Sequence, residues 1–277
     1  MDWPGKREYN GAGGRETPAF RRNGETVKEC KALIRVIAVL LALLCAVPAA
    51  AERLDDATLL SFYEDSALIG DSRVEAFRRY VAAVRQADET YFAKTTIVCS
   101  GSISLFAASR PFPSDDYPFY YRARPMTLYG VAERSGAKKV FILLGLNDPV
   151  AKKPEKALSW IRKIITTMNE MVPGTEIYFF SETPVTKKFV KNKNRRGYQK
   201  LLDEYNPQLK KTCEENGAHY IELAEVLKGK DNYLREAYCS DELCHLNDDG
   251  IRVWIRRMMD YAQEQYDLGL WEPKSPE

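Results

Sequence analysis

The chain has 277 residues and a formal net charge of +2 at pH 7, with 41 basic and 39 acidic side chains. Residues 1–51 hold eight of the basic and five of the acidic side chains, so the remainder is close to neutral. This composition excludes the strongly basic surface that is typical of nucleic-acid-binding proteins. The length is sufficient for one sizeable hydrophobic core.

Residues 1–51 have the features of an export leader. Residues 36–51 contain no charged side chain, follow Lys31 and Arg35, and end in three alanines. A basic flank, a short apolar core and small residues at its end predict a secretory signal peptide. A membrane-spanning helix needs about 20 apolar residues, whereas this run is shorter and contains Pro48. We therefore expect a secreted or extracytoplasmic protein, with an uncleaved membrane anchor as the alternative.

Five strand-like apolar runs alternate with helical patterns in the rest of the chain. The strands are predicted at residues 67–70, 95–99, 139–145, 176–180 and 219–223. Their near-continuous apolar character is typical of strands that are covered on both faces. Alternating strands and helices predict a parallel sheet with helices on either side. We therefore predict one domain over residues 52–277, a three-layer α/β/α sandwich with a flavodoxin-like sheet of five parallel strands.

Helices are predicted by apolar spacing and by start and stop signals. The first begins near Ser72, and later helices are expected from Pro154 to Pro173, from Tyr198 to Gly217 and over residues 248–266. Two other stretches read as loops. The aromatic stretch 111–129 is predicted to pack as a cluster against the domain, and the alternative is that it stacks on a sugar or lines an acyl pocket. The basic stretch 187–196 is predicted to be a solvated loop that could attract an anionic wall polymer.

Four cysteines lie beyond the leader: Cys99, Cys213, Cys239 and Cys244. None is part of a CxxC pattern and the chain has two histidines, so we expect no metal site. Cys239 and Cys244 are predicted to lie close together. They are near enough in sequence to form a disulfide in an oxidising compartment, with two thiols as the alternative.

Acyl transfer by a serine needs a nucleophile, a base, a group that orients the base, and donors for the oxyanion. Candidate residues follow the predicted strands, at the carboxyl edge where open α/β sheets usually bind their ligands. Ser72 follows the first strand, Gly101 the second and Asn147 the third, and His245 precedes the last helix. His219 is predicted to lie inside the fifth strand as a core residue, which leaves His245 as the candidate base.

The sequence around these positions resembles the four blocks of the SGNH, or GDSL-like, hydrolase family. The resemblance is carried by Gly70-Asp71-Ser72, Gly101, Gly145-x-Asn147-Asp148 and the stretch that ends in His245, and it covers about residues 66–266. The first and third blocks are the most specific. Residues 181–185 and 203–206 also resemble secreted bacterial members.

The resemblance implies a hydrolase that acts on esters without a cofactor. It implies that Ser72 is the nucleophile and His245 the base. The oxyanion hole would consist of the Ser72 amide, the Gly101 amide and the Asn147 side chain. Arg73 replaces the leucine that is commoner in the family, and we expect its side chain to point away from the nucleophile.

The acid that orients His245 is ambiguous because the family usually has an aspartate three residues before the histidine. Here that position is Glu242, and Asp241 lies four residues before. We predict Asp241, because a loop absorbs one inserted residue at little cost, whereas the extra methylene of Glu242 would misplace its carboxylate. Glu242 remains the alternative acid.

The predicted function is that of a secreted serine esterase for acetyl or short-chain acyl esters, on carbohydrates or small molecules. The alternatives are an O-acyltransferase that uses the same residues and a catalytically silent carbohydrate-binding module with the same fold. We expect no nucleic-acid partner, and a membrane association only if the leader is uncleaved. The sequence leaves the oligomeric state open.

Overall fold

The computed structural model describes residues 52–112, 119–148 and 152–274. The predicted leader, residues 1–51, lies outside the described residues. Five parallel strands form the central sheet: β1 Ser66–Gly70, β2 Thr95–Cys99, β5 Lys139–Leu143, β6 Glu176–Phe180 and β7 His219–Ile221. A separate antiparallel hairpin consists of β3 Phe119–Tyr121 and β4 Arg124–Met126.

The helices alternate with these strands. They are α1 Asp56–Ser61, α2 Ser72–Val84, α3 Leu105–Ala108, α4 Leu128–Ser135, α5 Pro154–Met171, α6 Lys187–Lys191, α7 Tyr198–Glu215, α8 Ala224–Leu227 and α9 Asp248–Asp267. Short 3₁₀ turns cover Lys193–Arg195 and Glu236–Tyr238. No helix in the described ranges combines the length and the apolar character that a membrane span requires.

The strand order is β2-β1-β5-β6-β7, which confirms the predicted flavodoxin-like α/β/α fold. Alternate side chains of each strand enter different cores, because successive residues of a strand point to opposite faces. Ala67 and Ile69 of β1 pack in the core that α4, α5 and α7 cover. Leu68 of the same strand packs in the core that α2 and α9 cover. The sheet is therefore apolar on both faces.

The strand register places the polar turns together. Gly70 at the end of β1 is level with Cys99 of β2 and Leu143 of β5. The strand order reverses beside β1, and a crevice outside the carboxyl ends of the strands is the usual ligand site at such a reversal. At Gly70 an added Cβ would lie 2.4 Å from the Leu143 carbonyl oxygen. Glycine is needed here because the neighbouring strand passes so close.

Three local predictions are wrong. The described part of the aromatic stretch 111–129 is largely a hairpin followed by α4 and not a loop, although the burial of Phe119 and Tyr129 in the core agrees with the predicted packing against the domain. The basic stretch 187–196 forms α6 and a 3₁₀ turn because Thr186 caps the helix by accepting a hydrogen bond from the Phe189 amide. His219 is half exposed because it begins the edge strand β7, where its ring stacks on Tyr178.

Candidate active site

The turn after β1 sets the position of Ser72. Asp71 caps α2 by accepting a hydrogen bond from the Arg73 amide at 3.0 Å. Ser72 is the first residue of the helix, so its own amide has no intrahelical acceptor and lies at the positive end of the helix dipole. Its side chain is partly exposed at the carboxyl edge of the sheet. The hydroxyl can therefore meet both solvent and a substrate.

His245 lies on a loop that backbone hydrogen bonds and a helix cap hold next to Ser72. Cys239 and Leu246 form an antiparallel bridge, and the Ser240 amide donates to the His245 carbonyl oxygen at 2.8 Å. Asn247 then caps α9 by accepting a hydrogen bond from a backbone amide in its first turn. The His245 Nε2 atom lies 2.8 Å from Ser72 Oγ, a distance at which a hydrogen bond forms. The two residues are 173 positions apart in the sequence.

Asp241 holds the other side of the imidazole. Its Oδ2 atom lies 2.6 Å from His245 Nδ1, and its Oδ1 atom accepts hydrogen bonds from the amides of Leu243, Cys244 and His245. Partial burial raises the pKa of Asp241, but the hydrogen bonds from His245 and from the backbone outweigh that effect and bring the pKa below its usual range. The carboxylate is therefore ionised at neutral pH and fixed in direction.

Glu242 points away from this arrangement. Its side chain is exposed and forms an ion pair with Lys188. Its backbone has φ = 63°, in the left-handed region, so the chain turns outward at this residue. Because of this turn, the carboxylate of Asp241 lies beside His245 although the loop has one residue more than is usual in the family.

Asn147 and Gly101 lie on the turns after β5 and β2. The Asn147 amide nitrogen donates to the carbonyl oxygens of Ile103 at 3.0 Å and Gly101 at 3.4 Å. Gly145 has φ = 149°, a conformation that favours glycine, where the chain leaves β5. Both turns are at the sheet edge that carries Ser72.

These side chains open into one cavity of about 410 Å³. It is lined by Asp71, Ser72, Leu146, Asn147, Asp148, Lys152, Phe189, Asn194, Arg195, Tyr198, Asp241, Leu243, Cys244 and His245. The volume is in the range of a small-ligand site. Of the aromatic residues predicted for such a cavity, the described ones, Phe112, Phe119, Tyr120 and Tyr121, are not among those that line it, and Tyr117 lies outside the described residues.

Cys239 and Cys244 flank the carboxylate as free thiols, so the suggested disulfide is not formed. Each thiol faces a polar group of the site: Cys239 Sγ lies 3.4 Å from an Asp241 oxygen, and Cys244 Sγ 4.0 Å from His245 Nδ1. Burial raises the pKa of Cys239 to about 11 and that of Cys244 to about 12. Both thiols are protonated at neutral pH and are poor nucleophiles.

Potential metal ligands converge only here within the described ranges. The group consists of one ligand atom from each of Asp241, Cys244 and His245, and these three atoms lie within 4.8 Å of one another. Asp241 and the imidazole are already hydrogen-bonded to each other at 2.6 Å. A cation would have to break that contact, so the resting arrangement is a hydrogen-bonded chain and not a preformed metal centre.

The Arg73 side chain is buried, and its hydrogen bonds are to residues other than Ser72. Its guanidinium group binds Asp71 at 2.6 Å and Glu182 at 2.8 Å, and it also donates to the Thr183 hydroxyl. The side chains of Arg73, Asp71 and Glu182 are each about 1% exposed. The ion pairs thus connect the turn that carries Ser72 to the end of β6. The leucine found more often at this position could form neither pair.

Glu182 is held by both its backbone and its side chain. Its amide donates to the Asn206 side chain, which donates back to the Glu182 carbonyl oxygen at 3.0 Å. With both carboxylates ionised, the buried group of Asp71, Arg73 and Glu182 would carry a net negative charge. Burial raises the pKa of Glu182 to about 7, although the Arg73 charge acts in the opposite direction. Protonation of Glu182 makes the group neutral.

Glu182→Gln is expected to remove a pH dependence of folding. A carboxyl group whose pKa rises on folding stabilises the fold fully below its unfolded pKa of 4.5, and that contribution is lost as the pH rises through about 7. The wild-type free energy of unfolding should therefore decline over that range, by an amount on the order of 3 kcal/mol. Urea unfolding at several pH values measures the decline, which should flatten in the variant. Glu242→Gln, at an exposed carboxyl, is the control; an unchanged decline in Glu182→Gln would contradict the assignment.

The chain is thus an α/β protein with a partly exposed serine at the carboxyl edge of its sheet, where such proteins usually bind their ligands. A family model for GDSL-like lipases and acylhydrolases matches residues 68–253. The chain belongs to this family and is an enzyme that hydrolyses ester bonds. No curated protein sequence matches the chain.

Solved structures with this fold are distant in sequence. A provisionally named platelet activating factor from Streptococcus pneumonia is 17% identical with a TM-score of 0.52, over 82% of this chain and 99% of its own. A provisionally assigned acylhydrolase from Bacteroides fragilis is 12% identical with a TM-score of 0.53, over 72% and 86%. A GDSL-like lipase from Bacteroides thetaiotaomicron is 12% identical with a TM-score of 0.51, over 79% and 94%. At these identities the likeness concerns the fold alone.

Several site residues were missed by sequence reasoning. Arg73 could have been found from its spacing, since it lies four residues before the core residue Phe77 and so shares the buried face of α2. Glu182 is the second residue after β6, at the same sheet edge as Ser72. Arg195 lies in the basic stretch 187–196, which the sequence marked as able to attract an anion, whereas no local signal indicated Lys152, because only folding brings the two segments together.

Proposed function

We propose that the protein is a secreted serine esterase that removes acetyl or other short acyl groups through a catalytic triad of Ser72, His245 and Asp241. The observation that carries this proposal is the continuous hydrogen-bonded chain from Ser72 Oγ through His245 to Asp241. Family membership supports ester hydrolysis, and the cavity of about 410 Å³ supports a small acyl group on a polar alcohol such as a sugar. Export rests on the leader-like sequence of residues 1–51.

The mechanism follows from the positions of the three side chains. His245 Nε2 accepts the hydroxyl proton while Ser72 Oγ attacks the ester carbonyl carbon, and Asp241 stabilises the imidazolium that forms. His245 then donates this proton to the leaving alkoxide, which departs as the alcohol. Water attacks the acyl-enzyme with His245 as base, which releases the carboxylic acid and restores Ser72.

The negative charge on the carbonyl oxygen needs donors that are already in place. The Ser72 amide lies at the start of α2, where no helical carbonyl accepts its hydrogen bond. The Asn147 amide group is oriented by its bond to the Ile103 carbonyl oxygen at 3.0 Å, and its other hydrogen has only the long contact to Gly101. We assign the Gly101 amide as the third donor of this oxyanion hole.

The test is hydrolysis of p-nitrophenyl esters and acetylated saccharides by the wild type and by Ser72→Ala. We expect only the wild type to hydrolyse the esters. A phosphonate inhibitor should form a covalent adduct with Ser72, which mass spectrometry detects, and His245→Ala should largely prevent this adduct. Folded wild-type protein that is no faster than Ser72→Ala on every ester would refute the proposal. N-terminal sequencing of the exported protein tests cleavage of the leader.

Asn147→Ala is expected to lower kcat by about 10²–10³, because one oxyanion donor is typically worth that much. The substrate carbonyl is less charged than the transition state, so KM should change far less. Steady-state kinetics on a short-chain ester measures both constants. Asn147→Asp keeps the shape of the side chain but opposes the oxyanion, so it should be at least as inactive. Near-normal kcat in Asn147→Ala would exclude this residue from the oxyanion hole.

A further inference from the structure

Each carboxylate that lines the cavity already has a hydrogen-bond or ion-pair partner within the protein. Asp71 forms its ion pair with Arg73, and Asp241 is bonded to His245. Asp148 is buried and accepts a hydrogen bond from the Leu105 amide, and burial raises its pKa. Each of the three thus already has a partner within the protein, and none of the three pairs with Lys152 or Arg195.

The cations of the cavity are Lys152 and Arg195, and both are exposed. Within the described residues, neither has a carboxylate at ion-pair distance, whereas Lys187 pairs with Asp231 and Lys188 with Glu242 close by in the chain. Lys152 and Arg195 are therefore two cations of the cavity lining that no carboxylate of the described residues pairs with.

Neutral groups hold both cations over the cavity. The Arg195 guanidinium carbon lies 4.3 Å from the centre of the Phe189 ring, and Lys152 Nζ donates to the Asn194 carbonyl oxygen. Phe189 and Asn194 also line the cavity. A cation–π contact and a carbonyl contact orient a charged group without neutralising it. The two charges therefore remain available to a ligand that enters beside Ser72.

We propose that Lys152 and Arg195 form a subsite for an oxyanion group, a carboxylate or a phosphate, so that the enzyme selects esters that carry a negative charge. This inference rests on the proposed function, because the subsite serves the ester whose carbonyl Ser72 attacks. The bond changes of hydrolysis stay the same, and the subsite only binds a group that does not react. Its contribution should therefore appear mainly in KM.

The experiment compares two p-nitrophenyl esters matched in carbon number, the hexanoate and the mono-ester of adipic acid, which ends in a carboxylate. A second pair, O-acetylated glucose and O-acetylated glucuronic acid, places the charge on the alcohol side. We expect the wild type to favour the anionic member of at least one pair in kcat/KM. Exposed ion pairs are weak, so Arg195→Gln and Lys152→Gln should each lower that preference about two- to fivefold, and the double variant about tenfold.

Ionic strength and a matched lysine provide the controls. Raising the salt concentration from about 0.01 M to about 1 M should lower the wild-type preference and leave the double variant unchanged, because salt screens exposed charges. Lys187→Gln removes the same charge outside the cavity and should keep the wild-type preference. Equal rates on both members of both pairs, or an equal loss in Lys187→Gln, would overturn the subsite. Absence of Ser72-dependent hydrolysis of every member of both pairs would instead refute the proposed function.

Discussion

Asp241→Asn is expected to lower kcat by about three orders of magnitude, while Glu242→Gln stays within about twofold of the wild type. Asp241 accepts a hydrogen bond from His245 Nδ1 and thereby leaves Nε2 free to receive the Ser72 proton. An amide at this position favours the wrong tautomer of the imidazole and cannot stabilise the imidazolium. Steady-state turnover of a short-chain ester measures both variants.

The two acidic residues are matched neighbours, which makes the comparison sharp. Glu242 is exposed and paired with Lys188, so its loss removes only a weak surface interaction. Circular dichroism checks that Asp241→Asn is folded. This control is needed because the Asp241 carboxylate, whose Oδ1 atom accepts hydrogen bonds from three backbone amides, becomes a neutral carboxamide. Full activity of Asp241→Asn with collapse of Glu242→Gln would show that the active conformation uses the other carboxylate.

Arg73→Leu is expected to lower the free energy of unfolding by about 3–5 kcal/mol, although leucine is the commoner residue here in the family. The substitution leaves the carboxylates of Asp71 and Glu182 buried without their cation. Removing one partner of a buried ion pair has a cost of this size. Urea denaturation near pH 7 gives the value. Arg53→Leu breaks an exposed pair with Asp260 and should cost less than about 1 kcal/mol.

The pH dependence of the Arg73→Leu defect distinguishes an electrostatic cause from a cavity. Burial already raises the pKa of Glu182 to about 7 with Arg73 present, and loss of the cation should raise it further. The defect should therefore shrink as the pH falls toward 5 and the carboxyl group takes up a proton. Adding Glu182→Gln to Arg73→Leu should recover part of the stability at pH 7. A defect that is the same at pH 5 and pH 7, or stability equal to the wild type, would contradict this account.

Arg73→Lys tests whether the geometry of the guanidinium matters beyond its charge. The planar group of Arg73 donates to Asp71, Glu182 and Thr183 in three directions. The lysine ammonium is a compact point charge, and it cannot reproduce the fixed directions of the guanidinium donors. We expect an intermediate stability and a lower kcat, because Asp71 also caps the helix that begins with Ser72.

Much of the fold could be predicted because its signals are local. The apolar runs that form β1, β2, β5 and β6 are short and continuous, and the intervening helices have clear apolar stripes. Such patterns depend on residues a few positions apart, which the sequence displays directly. Predicted elements were wrong mainly where a short polar or aromatic stretch had no periodic signal, as in the hairpin of β3 and β4 and in α6.

The sequence by itself determined the family, the α/β fold and the sheet edge at which Ser72, Asn147 and His245 meet, because strand order and short motifs specify these features. Only the tertiary structure decided which carboxylate reaches His245, since that depends on the backbone turning outward at Glu242. It also decided that Arg73 is buried, because its partner Glu182 lies 109 positions away. Packing brings such distant polar groups together, and their charges then compensate each other only in the folded chain.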